Sequence, residues 1–100
     1  MYHFTRTVTL KNAAVTPKAI GFAMELTGYL NKTYNLTARC GMELYGSMNI
    51  HWHLESDSLD KLSALNGKLI EDKNYWSMIE KGKEYWLDGS LKDTVVNFPS

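Results

Sequence analysis

Residues 50–55 read Ile50-His51-Trp52-His53-Leu54-Glu55. In an extended chain successive side chains point to opposite faces, so Ile50, Trp52 and Leu54 share one side and His51, His53 and Glu55 the other. The pattern extends backwards through Met48 and Asn49. Residues 35–44 repeat it, with Leu36, Ala38, Cys40, Met42 and Leu44 alternating with Thr37, Arg39, Gly41 and Glu43. Tyr45-Gly46-Ser47 between the two runs is a compact turn. A three-residue loop that pairs Leu44 with Met48 keeps both alternations in step, because opposed residues in a hairpin share a face. That register sets Gly41 opposite His51 and Arg39 opposite His53.

The segments around this hairpin complete a sheet with helices on one side. Residues 2–10 alternate as a first strand, with Tyr2, Phe4, Val8 and Leu10 on one face and His3, Thr5, Thr7 and Thr9 on the other. Arg6 falls in the apolar register, where it snorkels or marks a bulge. Thr16-Pro17 is a helix start, a hydroxyl cap followed by proline in the first turn. Ala19, Phe22, Ala23, Leu26 and Leu30 then form one apolar stripe that ends near Thr33. Ser56-Asp57-Ser58 caps a second helical region whose buried side is Leu59, Leu62, Leu65, Leu69 and Ile70. Asp72-Lys73-Asn74 restarts it, and Tyr75, Met78, Ile79, Gly82, Tyr85 and Trp86 continue the stripe to an end at Asp88-Gly89-Ser90. Residues 92–98 are a last, β-prone strand. The order β-α-β-β-α-β predicts a four-stranded antiparallel sheet in order 4-1-3-2 with both helices on one face.

Composition bounds the function classes. One hundred residues, expected as the single domain 1–100, hold one modest core. Eleven basic residues balance eleven acidic ones, so the chain lacks the electrostatic footprint of a nucleic-acid binder. No apolar run is long enough to span a membrane, and the alternating opening YHFTRTVTL is not a signal peptide. One cysteine, Cys40, allows no internal disulfide and fits a cytoplasmic location. Phosphate-loop, nucleophile-elbow and dinucleotide fingerprints are missing.

The layout resembles the dimeric α+β barrel superfamily, ferredoxin-like proteins whose sheets pair across a dimer and which include antibiotic-biosynthesis-type monooxygenases and NIPSNAP-like proteins. The likeness is carried mainly by LDKLSALNGKLIEDKNYWSMIEKGKEYWLDGSLKDTVVNF, where a helix restarts and ends in a turn before a final strand. The resemblance implies an α+β fold, a homodimer, and a small-molecule pocket between the paired sheets. It assigns no catalytic residue, because the first strand lacks the asparagine that several oxygenases of the superfamily carry there.

The residues themselves supply a candidate site. His3 shares the polar face with His51 and His53, and antiparallel pairing brings the start of the first strand beside the end of the third. The three imidazoles are expected to cluster, with Arg39 and Glu55 at the rim and threonines around them. His51 and His53 are the candidate catalytic groups, one of them acting as general base, with His3, Arg39 and Glu55 binding the ligand. Two histidines at i and i+2 also project together as zinc ligands do, yet neither metal nor cofactor is expected. The function predicted is that of a small-molecule-binding homodimer, acting as a cofactor-independent oxygenase, isomerase or cyclase. The alternative is a non-catalytic binding or assembly module whose polar sheet face forms the dimer interface. RNA binding on that face is disfavoured, since His51, His53 and Glu55 stand where RNA-recognition motifs display aromatic and basic residues. Trp52 and Cys40 lie in the apolar register and are expected to be core.

Overall fold

Strands β1 (Tyr2–Thr9), β2 (Arg39–Met42), β3 (Asn49–Ser56) and β4 (Lys92–Asn97) form one antiparallel sheet in the spatial order β2-β3-β1-β4. This is the expected 4-1-3-2 order, read from the other edge. The computed structural model describes residues 1–99. Helices α1 (Thr16–Tyr34), α2 (Leu59–Ile70) and α3 (Lys73–Gly82) cover one face. Arg39 pairs with His53 and Gly41 with His51, as the alternation requires. The fold is ferredoxin-like, with an open sheet. Among the described residues, no helix is long and apolar enough to cross a membrane.

The core lies where the apolar registers of β1 and β3 meet α1 and α3. Val8, Leu10, Ile50 and Trp52 pack against Ala19, Ala23, Leu26 and Tyr75, all buried. Small alanines on α1 let that helix approach the sheet closely. Its last turn ends at Asn35, which takes the left-handed conformation (φ 54°) that asparagine tolerates. Helix α1 begins differently from the expectation. Asn12, not Thr16, is the capping side chain: its Oδ1 accepts from Ala14 N at 2.9 Å and starts a short 3₁₀ turn, Ala13–Val15, that leads into the helix.

Three boundaries differ from the sequence pattern, each for a local reason. Strand β2 starts at Arg39 rather than near residue 35, because the Asn31 amide clamps Ala38 through both its backbone groups, at 2.8 and 3.0 Å. The β2–β3 loop is wider than three residues. Glu43 accepts from Ser47 N, Asn49 Nδ2 and His51, and this carboxylate-centred turn leaves Leu44 and Tyr45 pointing into solvent. Helix α3 ends at Gly82, short of Asp88-Gly89-Ser90. The chain makes one 3₁₀ turn, Lys83–Tyr85, and then runs extended alongside the end of β1, where Leu87 N donates to Thr9 O at 2.9 Å and Trp86 bridges Leu10. Backbone bonding to β1 outweighs further helix propagation there.

Two contacts lock α3 onto α1. Gly82 is buried beneath the Phe22 ring, which a β-carbon at that position would strike. Asp72 caps α3 by accepting from Tyr75 N at 3.0 Å, and it also accepts the hydroxyl of Tyr29 at 2.6 Å and that of Tyr34. The phenols hold the Asp72 carboxyl at about 2, below its ordinary 3.8, and the carboxylate in turn pushes Tyr34 up to about 12.

These contacts give two expectations. Gly82→Ala destabilises by about 1–3 kcal/mol through overpacking against Phe22, whereas Gly67→Ala, in open space on α2, stabilises by about 0.5–1 kcal/mol; urea denaturation of the two variants checks the opposite signs. Asp72 is depressed in the folded state, so its contribution is present above the unfolded value and lost as pH falls through the folded one. Wild type therefore loses stability between pH 3.8 and about 2 through this group. Asp72→Asn shows a flatter decline over that window when unfolding is followed at stepped pH.

Candidate functional site

The two faces of the sheet carry different chemistry. The open face holds the residues expected from the sequence, but the register divides them. His3 stands opposite Glu55, Thr5 opposite His53 and Thr7 opposite His51. Each histidine consequently has its own partner. His3 Nε2 lies 3.5 Å from Glu55 Oε1, His53 Nδ1 lies 3.4 Å from Thr5 Oγ1, and His51 Nε2 lies 3.2 Å from Glu43 Oε2. The His51 and His53 rings stack at 5.9 Å, as residues two apart on a strand can. His3, Arg39, His53 and Glu55 line one shallow polar depression of about 310 Å³, together with Thr37. His51 falls outside that depression and belongs to the Glu43 turn. The His51 hydrogen bond holds the Glu43 carboxyl below its usual range, helped by the Ser47 and Asn49 donors. Among the described residues, no three His, Cys, Asp or Glu side chains gather as a metal-binding group.

The helix-covered face holds a second cavity that the alternation did not announce. Helix α2 is well capped, Ser58 Oγ accepting from Asp60 N and Lys61 N. Its leucines face the sheet, yet no residue of α2 is buried. Between Leu62, Leu65 and Leu69 above and Phe4, Trp52 and Leu54 below lies a cleft of about 420 Å³. That volume is within the range of small-molecule sites, and the lining is mainly apolar, as such sites are.

One polar group interrupts the lining. Arg6 Nε donates to Asp93 Oδ1 at 2.7 Å and its Nη2 to Asp93 Oδ2 at 2.9 Å, a two-pronged pair, while Nη1 donates to Tyr75 Oη at 3.0 Å. The Asp93 hydrogen bond holds the guanidinium pKa above its ordinary value, against the opposing effect of burial. The out-of-register arginine is therefore neither a bulge nor a snorkel. Asp93 faces it directly across the β1–β4 ladder. Both residues break the apolar register of their strands, and opposite charges breaking two registers are the signal from which the pair could have been inferred. Trp52 faces Arg6 across the β1–β3 ladder. It is core as expected, 8% exposed, yet it also walls the cleft. Its indole N–H is buried with no hydrogen-bond partner among the described residues.

No family sequence model matches the chain, and no curated protein matches it in sequence. Solved structures do match in fold. An uncharacterised NIPSNAP domain protein from Burkholderia xenovorans superimposes with a TM-score of 0.80 at 15% identity, over 100% of this chain and 95% of that one. A NIPSNAP family protein of unknown function from Agrobacterium tumefaciens gives 0.77 at 19% identity, over 96% of this chain and 86% of that one. An antibiotic biosynthesis monooxygenase gives 0.67 at 9% identity, over 100% of this chain and 98% of that one. The fold is thus the one shared by NIPSNAP proteins and antibiotic-biosynthesis-type monooxygenases, in agreement with the resemblance noted in the sequence.

The Arg6–Asp93 pair yields a double-mutant test. Asp93→Ala leaves the half-buried guanidinium without its anion, so it costs more alone than in an Arg6→Met background. A coupling of about 0.5–3 kcal/mol is expected from denaturation of the two single variants and the double variant.

Proposed function

We propose that the protein binds a small organic molecule in the cleft between α2 and the sheet, and that it works as a homodimer whose open sheet faces meet. One observation carries the binding site: an amphipathic, capped helix presents its leucines to the sheet and buries none of them. An apolar helix face normally closes onto the core, because burial is worth about 25 cal/mol per Å². A cleft of about 420 Å³ under such a face suits an occupant that completes the packing. The dimer is supported by the open face, where Val96 and Phe98 are about half exposed and the Phe98 ring rests 4.6 Å from that of His3. Exposed aromatic side chains are enriched where protein surfaces meet.

A second reading is favoured by the polar depression. Four of the residues singled out in the sequence, His3, Arg39, His53 and Glu55, line it together. A dimer partner over the open face would enclose that depression. His53 would then offer an imidazole for proton transfer, with Arg39 opposing developing negative charge. This is the arrangement an isomerase, cyclase or cofactor-independent oxygenase would need.

Leu65→Trp, which fills the cleft, is compared with Arg39→Ala, which alters the depression alone. Each is titrated calorimetrically with a panel of small ketones, phenols and carboxylates. Binding weakened at least tenfold by Leu65→Trp and unchanged by Arg39→Ala supports the cleft. The opposite result supports the open face. Light scattering is expected to give twice the monomer mass, and a monomer at micromolar concentration would overturn the dimer.

A further inference from the structure

Strand β4 is an uncovered edge of the sheet. All of Lys92–Asn97 is exposed, and the strand pairs on one side, with β1. The direction of its backbone groups follows from the chain end. Phe98 N donates to Met1 O at 2.8 Å and Met1 N to Phe98 O at 2.9 Å, so these two residues exchange both bonds. In an antiparallel ladder such pairs alternate with pairs whose groups point outward. Lys92, Thr94 and Val96 therefore turn their N–H and C=O groups to β1, while Asp93, Val95 and Asn97 present theirs to solvent. Native sheets blunt such an edge with a bulge, a proline or charged side chains. Here the register runs unbroken, Lys92 stands at the start, Pro99 lies beyond the end, and the Asp93 carboxylate is turned to Arg6. What is left is apolar: Val95, Val96 and Phe98 are each about half exposed. The opposite edge, β2, is only four residues long.

The strand that fits this edge best is its own copy. Two identical strands that meet antiparallel must match outward residues with outward residues, so the two-fold axis passes through a residue and not between two. With the axis at Val95, that valine faces the partner's Val95, and Asp93 faces the partner's Asn97. The outward N–H and C=O groups of all three residues are then met on both copies. The side chains agree as well. The Asn97 amide can donate to the Asp93 carboxylate, the valines pack, Thr94 meets the partner's Val96, and the Lys92 stem lies on the partner's Phe98. Other axes do worse. One at Thr94 sets Asp93 against the partner's Val95, and one at Val96 sets it against the partner's Pro99, which has no N–H. One at Asp93 opposes two carboxylates.

We propose that β4 is a self-association edge, two copies joining β4 to β4 about a two-fold axis at Val95. The two sheets then continue into one, with the helices of both copies on one side and both open faces on the other. This contact is separate from a meeting of open faces and compatible with it. Asp93 and Val95 line the cleft, so each copy also sets its own Val95 and Asn97 beside the cleft wall of the other. One strand from each copy makes a small interface, at the low end of specific contacts, and the association is reversible and concentration-dependent.

Sedimentation velocity of the full chain under reducing conditions, from micromolar to millimolar concentration, is paired with amide hydrogen exchange at both ends of that range. The mass is expected to double across the range, whatever species is present at micromolar concentration. The amides of Asp93, Val95 and Asn97 should gain at least tenfold protection with that doubling, while those of Thr94 and Val96, already bonded to β1, stay as they were. Val95→Pro removes an outward N–H and no bond of the β1 ladder; it is expected to abolish the doubling and leave the micromolar species unchanged. Asn97→Asp, which opposes carboxylates on both sides of the axis, should weaken the association at least tenfold. If Val95→Pro folds poorly, the alternating protection in wild type decides the matter. A mass that stays constant to millimolar concentration overturns self-pairing. So does a doubling without protection of β4. Protection that also reaches Cys40 and Met42, whose amides point outward from β2, would give β4 a β2 partner and overturn the two-fold pairing. A micromolar monomer that doubles through β4 supports the edge contact and overturns only the meeting of open faces.

Discussion

The helices reach only one side of this sheet, and that constraint organises everything else. With a period of two, each strand must sort its residues between a covered side and an open side, and a slip of one residue would exchange them all. Strand β3 is sorted most strictly: Ile50 and Trp52 are buried, while His53 and Glu55 are exposed. Strand β1, lying between β3 and β4, must agree with it. Together they fix which residues can belong to one site. Neighbours in print, such as Trp52 and His53, serve opposite faces. Distant residues such as Arg6, Trp52 and Asp93 become neighbours in one row.

Within the covered layer the helices are not equal. Helix α3 is drawn in tightly, its Gly82 under Phe22 and its Asp72 cap shared with two tyrosines of α1. Helix α2, joined to it by a turn at Glu71-Asp72, touches the core through the partly buried Leu69 and fully buries no residue. A break in the helix is what permits this difference, since one continuous rod could not lie close at one end and leave a cleft at the other without bending. The restart at Asp72 thus serves the cavity as well as the chain path. The tyrosine–aspartate clamp ties α3 to α1 directly, without any residue of α2.

How much of this was legible follows from which forces act locally. Alternation and helical stripes are local, and they gave the strand order, the pairing of Arg39 with His53 and the core positions Ala19, Ala23 and Leu26. Tertiary choices were not legible. The Asn31 clamp on Ala38 and the Glu43-centred turn use side chains whose partners no periodicity reveals. The end of α3 depended on a backbone partner in β1 far away in sequence: Leu87 N could bond to Thr9 O only once the sheet existed. The expected histidine cluster failed to form as a trio for a finer reason. The faces were correct, but the β1–β3 register sets His3 against Glu55 rather than against a histidine. Nothing in the alternation fixes that offset.

The position that fitted worst turned out to be the most informative. An arginine in an apolar register costs stability unless something answers its charge. Asp93 does so from a strand that is exposed along its whole length, and an aspartate in that register would have little reason to face the helices on its own. The pair forms part of the cleft wall, where its opposite charges cancel. What the pair adds is a fixed guanidinium with spare donors, held neutral overall and set beside a tryptophan whose N–H has no partner among the described residues.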